Sequence, residues 1–405
     1  MNTRDRKLSR RGLFAAGGAA VVGATGGYLL GRETAPADAE SAVVSQAKTP
    51  TTATSTEPFE GVHQAGILTT PQTFTTFLGM NLIEATRDSL RGAMTLLTED
   101  ARLLTQGQAS LADSQPELAS IPARLTISVG FGHPLFEALG IPVPANFPEI
   151  PAFSTDQFED RWPQTQFVVQ IGTDDAATLA HTVRTVRKTL KPLATEVWAQ
   201  RGFRSDSPSN PGSTATRNLM GQVDGTVNPD PLTTEFDRVV WVKEGPSWAI
   251  GGTVLVLRRI RLLLDTWESL DRGAQELMIG RKLDSGAPLT GTKELDTPDF
   301  TAVDENGLEV IPANSHIAVA HAKTVDEMIL RRPYNYDDGF VGDAADIGLI
   351  FATYVKDPRA SYIPMQQRLA ENDVFNKWNV TVGSSTYFYP TGVREGEILG
   401  QGLLA

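Results

Sequence analysis

Apolar side chains in the first half of the chain recur with two different periods. In residues 63–70 and 125–131 they occupy every second position, which predicts two strands that each bury one face. In residues 86–106 they recur at intervals of three and four, which predicts an amphipathic helix between those strands. Residues 134–163 are rich in proline and predict a loop.

The segments that follow complete a unit of secondary structure. Residues 167–171 predict a strand, and Asp174 or Asp175 is placed to cap the helix that comes next. Residues 194–202 predict the strand that closes the sheet. The resulting order, β-α-β-β-α-β, is that of a ferredoxin-like unit.

The second half of the chain repeats this order. Residues 253–261 predict a strand, and a helical apolar stripe begins at Trp267. A short apolar strand is predicted around His316. Residues 348–355 predict another strand, which leads into a helix that contains Tyr362.

The two halves together predict an α+β protein made of two ferredoxin-like units. We place the N-terminal unit at residues 59–215 and the C-terminal unit at residues 216–405. A folded part of this length is too large for one small core and suits two units of ordinary size. Each unit has an antiparallel sheet with one uncovered apolar face, and the two faces are expected to bury each other.

Composition limits the chemistry that the chain can perform. The formal net charge of −12 and the pI of about 5.0 argue against nucleic acid as a partner. The sequence contains no cysteine, which excludes disulfides, thiolate-bound haem, covalent c-type haem and cysteine-based zinc sites. Any haem is therefore bound without a covalent bond, through histidine or tyrosine.

The N-terminus has the pattern of an export signal. Arg10 and Arg11 precede a glycine- and alanine-rich apolar run, and small residues follow it at Ala35–Ala39. This pattern predicts a twin-arginine signal peptide over residues 1–39 and a flexible spacer over residues 40–58. A membrane anchor is the alternative, but the run is dilute in large apolar residues and interrupted by glycine.

Three chemically active side chains stand out along the chain. Asp224 lies between Gly221 and Gly225, where glycine permits a tight turn and a close approach of the backbone to a ligand. His316 lies in a short apolar run, and Arg331 follows it further along the chain. Each alone has an ordinary explanation, because Gly-x-x-Asp-Gly is also a plain turn and a strand histidine is often a core residue.

In this order and spacing the three residues resemble those of the dye-decolorising peroxidases, whose haem pocket carries a GxxDG aspartate, a later proximal histidine and an arginine beyond it. The resemblance covers the chain from about residue 59 to its end. It implies that the two units pack as a dimeric α+β barrel-type fold and bind haem b. Together with the export signal, it implies an exported peroxidase that reduces hydrogen peroxide and oxidises dyes, phenols or other organic reductants.

The resemblance also assigns roles to the three residues. Asp224 and Arg331 are the expected catalytic pair: the carboxylate moves a proton between the peroxide oxygens and the guanidinium stabilises the charge that develops. His316 is the expected axial ligand of the haem iron, with an unidentified carboxylate behind it. Arg332 competes with Arg331 for the catalytic role, but adjacent positions of an extended chain point to opposite faces, and we expect Arg332 to point away.

Further haem contacts are expected from the segments that follow Asp224 and His316. The expected cofactor-binding residues, besides the axial ligand and the arginine, are Gly225, Thr226, Val227, His321, Ala322 and Lys323. The remaining histidines, His63, His133 and His181, match no motif of the family, and we predict ordinary surface or core packing for them.

Other functions stay open on the same pocket. The exported branch of the family includes deferrochelatases, which are proposed to take iron out of haem, and a haem-binding carrier would use Asp224 and Arg331 only to anchor propionates. A third alternative is an exported protein without a cofactor. The expected partners are hydrogen peroxide, organic reductants and the twin-arginine translocation machinery, and a homo-oligomer is left open.

Bulky dyes need a route for electrons from the surface to the haem. Only tryptophan and tyrosine are available to carry them, because the chain has no cysteine. Tyr334, Tyr336, Tyr387 and Tyr389 are the candidates, and core packing is the alternative explanation for these rings.

Overall fold

A computed structural model describes residues 52–205, residue 213 and residues 215–404. The signal peptide predicted for residues 1–39 and most of the predicted spacer lie outside the described residues. No helix in the described part of the chain is both long enough and apolar enough to cross a membrane.

The described residues form eleven strands and eight α-helices. The strands are β1 (Phe74–Leu82), β2 (Thr126–Phe131), β3 (Phe167–Thr173), β4 (Ala194–Phe203), β5 (Thr216–Arg217), β6 (Val223–Asp224), β7 (Thr253–Leu262), β8 (Leu330–Arg331), β9 (Tyr334–Val341), β10 (Ala344–Val355) and β11 (Asn379–Tyr389). The helices are α1 (Arg87–Leu104), α2 (His133–Leu139), α3 (Ala176–Leu190), α4 (Thr234–Val240), α5 (Leu264–Trp267), α6 (Arg272–Ile279), α7 (His316–Ala320) and α8 (Tyr362–Asn372).

The strands of the two halves have the same antiparallel arrangement. The order is β2-β3-β1-β4 in the first half and β11-β7-β10-β9 in the second. The halves join where Phe203 pairs with Asn335 and where Phe388 pairs with Phe131, so the eight strands form a closed ring. Closure leaves no long unpaired edge in the ring. The predicted α+β barrel of two ferredoxin-like units is confirmed.

Two clusters of buried side chains hold this arrangement together. Side chains from strands of both halves meet in one cluster rich in aromatic rings, among them Phe77, Trp198 and Tyr354. A second cluster joins α1 and α3 to the strands that they cover, with Leu90 and Val186 fully buried. Each large apolar side chain buried in this way contributes roughly 1.5–3 kcal/mol.

The two long helices of the first half begin where their capping residues predict. The Thr86 hydroxyl accepts a hydrogen bond from Ser89 N at 3.1 Å at the start of α1. Asp175, one of the two caps proposed, accepts from Thr178 N at 2.7 Å at the start of α3. Both contacts satisfy an amide that the helix itself leaves unpaired.

The strand predicted for residues 63–70 is wrong, because this segment forms turns and the strand is β1. Side chains hold the turns. The Gln64 amide bonds to both main-chain groups of Val129, at 2.9 and 2.7 Å, and Gly66 adopts a positive φ of 94°. The loop predicted for residues 134–163 also differs, because its first residues belong to α2.

The strand predicted around His316 is also wrong, because His316 begins the short helix α7. The run of four apolar residues after His316 fits a strand and a buried helical turn equally well. The strand that completes the second unit is β9 instead. The helix predicted after Trp267 is divided into α5 and α6, with Asp271 capping α6 through Ala274 N at 2.8 Å.

Candidate active site

Asp224 is presented by the small hairpin of β5 and β6. The Asn218 side chain accepts from the amides of Met220 and Gln222, at 3.0 and 3.2 Å, which closes the turn between the strands. Gly221 and Gly225 on either side of the aspartate have φ values of 80° and 96°, in the left-handed region that favours glycine. The glycines of the motif therefore shape the backbone that holds the carboxylate.

Arg331 faces Asp224 from β8. Its Nη1 lies 3.4 Å from Asp224 Oδ1, and its Nη2 donates to the Val227 carbonyl at 3.2 Å. Asn228 fixes the backbone of the arginine twice, since its Nδ2 donates to Arg331 O at 3.0 Å and its Oδ1 accepts from Arg331 N at 2.8 Å. The motif that carries the aspartate therefore also holds the arginine.

His316 is oriented by a carboxylate from the segment after α8. Its Nδ1 lies 2.7 Å from Asp373 Oδ2, and Asp373 Oδ1 accepts from Phe375 N at 2.9 Å. The side chain of Asp373 is 2% exposed, so both of its oxygens are held in a dry environment. The Phe375 ring stands edge-on to the imidazole at 5.4 Å. These contacts fix the imidazole and leave its Nε2 without a hydrogen bond in the described part of the chain.

The side chain of His316 is 36% exposed, although Asp373 and Phe375 pack against its ring. The imidazole is therefore accessible to a bound group. Burial lowers the pKa of His316, whereas the Asp373 carboxylate raises it, and the balance lies above the ordinary value. The charges of Asp224 and Arg331 also act on this pKa, with opposite signs. Asp224, Arg331 and the imidazole are thus close enough to share one site.

The donor set of this site fits haem. Among the described residues no group of three or more His, Cys, Asp or Glu side chains could hold a bare metal ion. One accessible imidazole, with Nδ1 bound to a carboxylate and Nε2 free, suits a metal whose other ligands come from a macrocycle. His316 would hold the iron, and Asp224 and Arg331 would line the same pocket.

The other residues expected to bind the cofactor lie in different surroundings in the structure. Thr226 donates its hydroxyl to Glu294 Oε1 at 3.0 Å, and Val227 is 60% exposed. His321, Ala322 and Lys323 come directly after α7, and the His321 ring stands edge-on to Phe300 at 5.1 Å. Within the described residues no hydrogen bond or ion pair joins this segment to Asp224 or Arg331.

Arg332 points away from Arg331, as predicted. It is 2% exposed, and its guanidinium donates to the Thr69 carbonyl and, at 3.1 Å, to Gln72 Oε1. Arg332 therefore ties β8 to the turns before β1 and takes no part in the contact with Asp224.

The four tyrosines proposed as an electron route are fully buried, so none of them can touch a dye at the surface. They are Tyr334, Tyr336, Tyr387 and Tyr389. Their rings belong to the aromatic cluster that both halves share. The packing explanation fits this placement.

The three histidines outside the motif make ordinary packing contacts. His63 stacks on Trp241 with ring centres 3.5 Å apart, and His133 stacks on Phe147. His181 pairs with a buried carboxylate of the first half.

Two residues of the site were not predicted. Asp373 lies 57 positions from His316, and its one signal in the sequence is its role as a helix cap, which many aspartates share. Asn228 stands in the motif itself, four positions after Asp224, so a search of that motif for amide side chains could have found it.

Comparisons with known proteins identify the family of this chain. The models of the N-terminal and C-terminal parts of the Dyp-type peroxidases match residues 64–204 and 215–394. A dye-decolorizing peroxidase of Thermobifida fusca is 34% identical over 425 residues, covering 100% of this chain and 99% of that protein. A deferrochelatase of Shigella sonnei is 30% identical over 371 residues, covering 86% of this chain and 87% of that protein.

A solved structure shows the same likeness. The crystal structure of a DyP-type peroxidase from Cellulomonas bogoriensis is 42% identical, with a TM-score of 0.84 over 87% of this chain and 99% of that chain. Haem is the cofactor of these proteins. The chain therefore belongs to the Dyp-type peroxidase family of haem-dependent peroxidases.

Proposed function

We propose that this protein is an exported peroxidase that uses hydrogen peroxide to oxidise dyes, phenols or other organic reductants. One observation carries the proposal. A histidine held at 2.7 Å by a buried carboxylate shares its site with an aspartate and an arginine 3.4 Å apart. This set provides a ligand for iron, a group that moves protons and a fixed positive charge.

Each protein group has a definite task. Bound haem supplies the redox-active iron at which peroxide is reduced. His316 would hold that iron through Nε2, and Asp373 would accept a hydrogen bond from Nδ1, which fixes the tautomer and makes the imidazole a stronger donor.

Asp224 and Arg331 act on the peroxide. The carboxylate keeps Oδ2 free of hydrogen bonds in the described part of the chain, so it can take a proton from one peroxide oxygen and return it to the other. The guanidinium carries a fixed positive charge, which would stabilise the negative charge that develops as the O–O bond breaks.

Export is part of the proposal because of the N-terminal pattern. Arg10 and Arg11 stand before an apolar, glycine-rich run, which is the address read by the twin-arginine machinery. That route carries folded cargo, so the protein would acquire its haem in the cytoplasm and act outside the cytoplasmic membrane.

The test is an absorbance spectrum of the purified protein, followed by oxidation of a dye with peroxide. A Soret band and peroxide-dependent oxidation support the proposal. Arg331→Leu should slow the reaction with peroxide about 10²–10³-fold, as the loss of a fixed charge donor does elsewhere. The matched control Arg332→Leu should keep the rate, because its side chain contacts Thr69 and Gln72. Haem binding without oxidation would indicate a carrier.

Removal of iron from haem is the second candidate, since a relative of 30% identity over 86% of this chain is named a deferrochelatase. The two activities leave different products. A peroxidase leaves an oxidised dye and intact haem, whereas a deferrochelatase leaves free iron and iron-free protoporphyrin. Chromatography of the porphyrin after the reaction separates them.

A further inference from the structure

A small cavity lies beside Asp224, between the β5–β6 hairpin and the paired strands β9 and β10. Its lining includes the polar residues Arg204, Arg217, Asn218, Asp224 and Asn335 and the hydroxyl-bearing residues Thr216 and Tyr334. The cavity is partly open and has room for about one water molecule. An organic reductant is too large to enter it.

Asn335 lines this cavity and carries an unpaired acceptor. The residue is 6% exposed, and its Nδ2 donates to the Arg217 carbonyl at 3.1 Å. Its Oδ1 is buried and has no hydrogen-bond partner among the described residues. Buried carbonyl oxygens in native proteins are paired with a protein donor or with ordered water, so a further donor is expected at Asn335 Oδ1.

Neighbouring groups do not supply that donor. The Arg217 guanidinium is already bound to the carbonyls of Gly221, Leu283 and Asp284, at 2.7, 2.5 and 2.6 Å. Asp224 adds a second acceptor to the cavity, because its Oδ2 is also without a partner in the part of the chain that the structure describes.

Charge decides which molecule fits. A small cation would be repelled by Arg217 in the lining and by Arg331, which pairs with Asp224. A small anion would face two unpaired acceptors, Asn335 Oδ1 and Asp224 Oδ2. Water is neutral, has two donors and has the size of the cavity.

We propose that this cavity binds one ordered water molecule, which donates to Asn335 Oδ1 and to the Asp224 carboxylate and relays protons between Asp224 and solvent. Asn335 is then a positioning residue for the proton chemistry of Asp224. When Asp224 releases a proton to this water, the water passes one of its own protons outward, so the water is restored and the proton count is conserved. This proposal rests on the catalytic role proposed for Asp224.

Two substitutions at one position test the relay. Asn335→Leu fills the cavity and has no polar atom, whereas Asn335→Ser leaves space and keeps an oxygen. Both lose the bond to the Arg217 carbonyl, so a difference between them reports on the water site alone. In crystals of the haem-bound protein, the water should be present in the wild type and in Asn335→Ser, and absent in Asn335→Leu.

The rate constant for the reaction with peroxide should fall about tenfold or more in Asn335→Leu relative to Asn335→Ser, a modest share of what general acid–base catalysis contributes. In mixtures of H₂O and D₂O, the wild type and Asn335→Ser should show more than one proton moving in the rate-limiting step. Asn335→Leu should show one. A dry cavity in the wild type, or equal rates in the two variants, overturns the proposal.

Failure of the proposed function is distinguishable from failure of the relay. If the wild type binds haem and does not react with peroxide, the proposed function fails, and the relay that serves it falls with it even when the crystal shows the water. If the wild type reacts and the cavity is dry, only the relay fails. Should Asn335→Leu not fold, the wild type alone decides, because a single moving proton contradicts the relay.

Discussion

Asn228→Ala should slow the reaction with peroxide although the side chain touches no reacting group. The substitution removes the bonds of 3.0 and 2.8 Å that hold the backbone of Arg331. At a net 0.5–1.5 kcal/mol for each bond, the arginine loses about 1–3 kcal/mol of positional restraint. If all of it is needed in the transition state, the rate constant falls about 5–150-fold, at about 1.36 kcal/mol for each factor of ten.

Stopped-flow absorbance at the Soret band measures this rate constant, on protein whose haem content matches the wild type. Asn228→Asp is the matched control, because it keeps an oxygen for Arg331 N and loses the donor to Arg331 O. Its rate should lie between those of Asn228→Ala and the wild type.

A double substitution separates positioning of the arginine from any other effect. Once Arg331→Leu has removed the guanidinium, adding Asn228→Ala should slow the reaction no further, because residues in one network are not additive. The same fold loss in both backgrounds would refute the reasoning. A wild-type rate for Asn228→Ala alone would refute it as well.

Three further outcomes are expected. Asp373→Asn should weaken haem binding about 10–100-fold in a titration of the haem-free protein, as loss of a carboxylate behind a ligating histidine does, and unchanged affinity would remove its supporting role. Asp346→Asn should cost about 3–5 kcal/mol of unfolding free energy in urea, because this buried carboxylate pairs with three arginines. Asp326→Asn, on the exposed pair with Arg238, should cost at most about 1 kcal/mol. Burial raises the pKa of Asp346, but the three arginines lower it further, so the folded-state pKa lies below the ordinary value. The stability that this carboxylate contributes is therefore present above about pH 3.9 and is lost as the pH falls through the folded-state pKa. A wild type no more sensitive to acid than Asp346→Asn would contradict this expectation. Lysines in place of Arg10 and Arg11 should leave the protein in the cytoplasm on cell fractionation, and mature protein outside would show that the signal is misread.

The doubled fold was predictable because its signal is periodic and local. The helices α1 and α3 bury one face each, and their caps Thr86 and Asp175 lie where a helix must begin. The alternating apolar residues of segment 63–70 predicted a strand. The segment forms turns instead, because the Gln64 side chain bonds to Val129. Tertiary hydrogen bonds of this kind override a period that spans only eight residues.

The site was predictable as far as its motif extends and no further. Asp224 and Arg331 meet because the β5–β6 hairpin and β8 approach each other. The sequence predicts this approach only through the family resemblance. Asp373 meets His316 because α7 packs against α8, whose end places the carboxylate 2.7 Å from the ring. Many surface aspartates cap helices, and burial of its side chain to 2% distinguishes Asp373 as the partner of His316, the expected iron ligand. Burial is a property of the assembled chain, so the residues that tune a site are harder to predict than those that perform its chemistry.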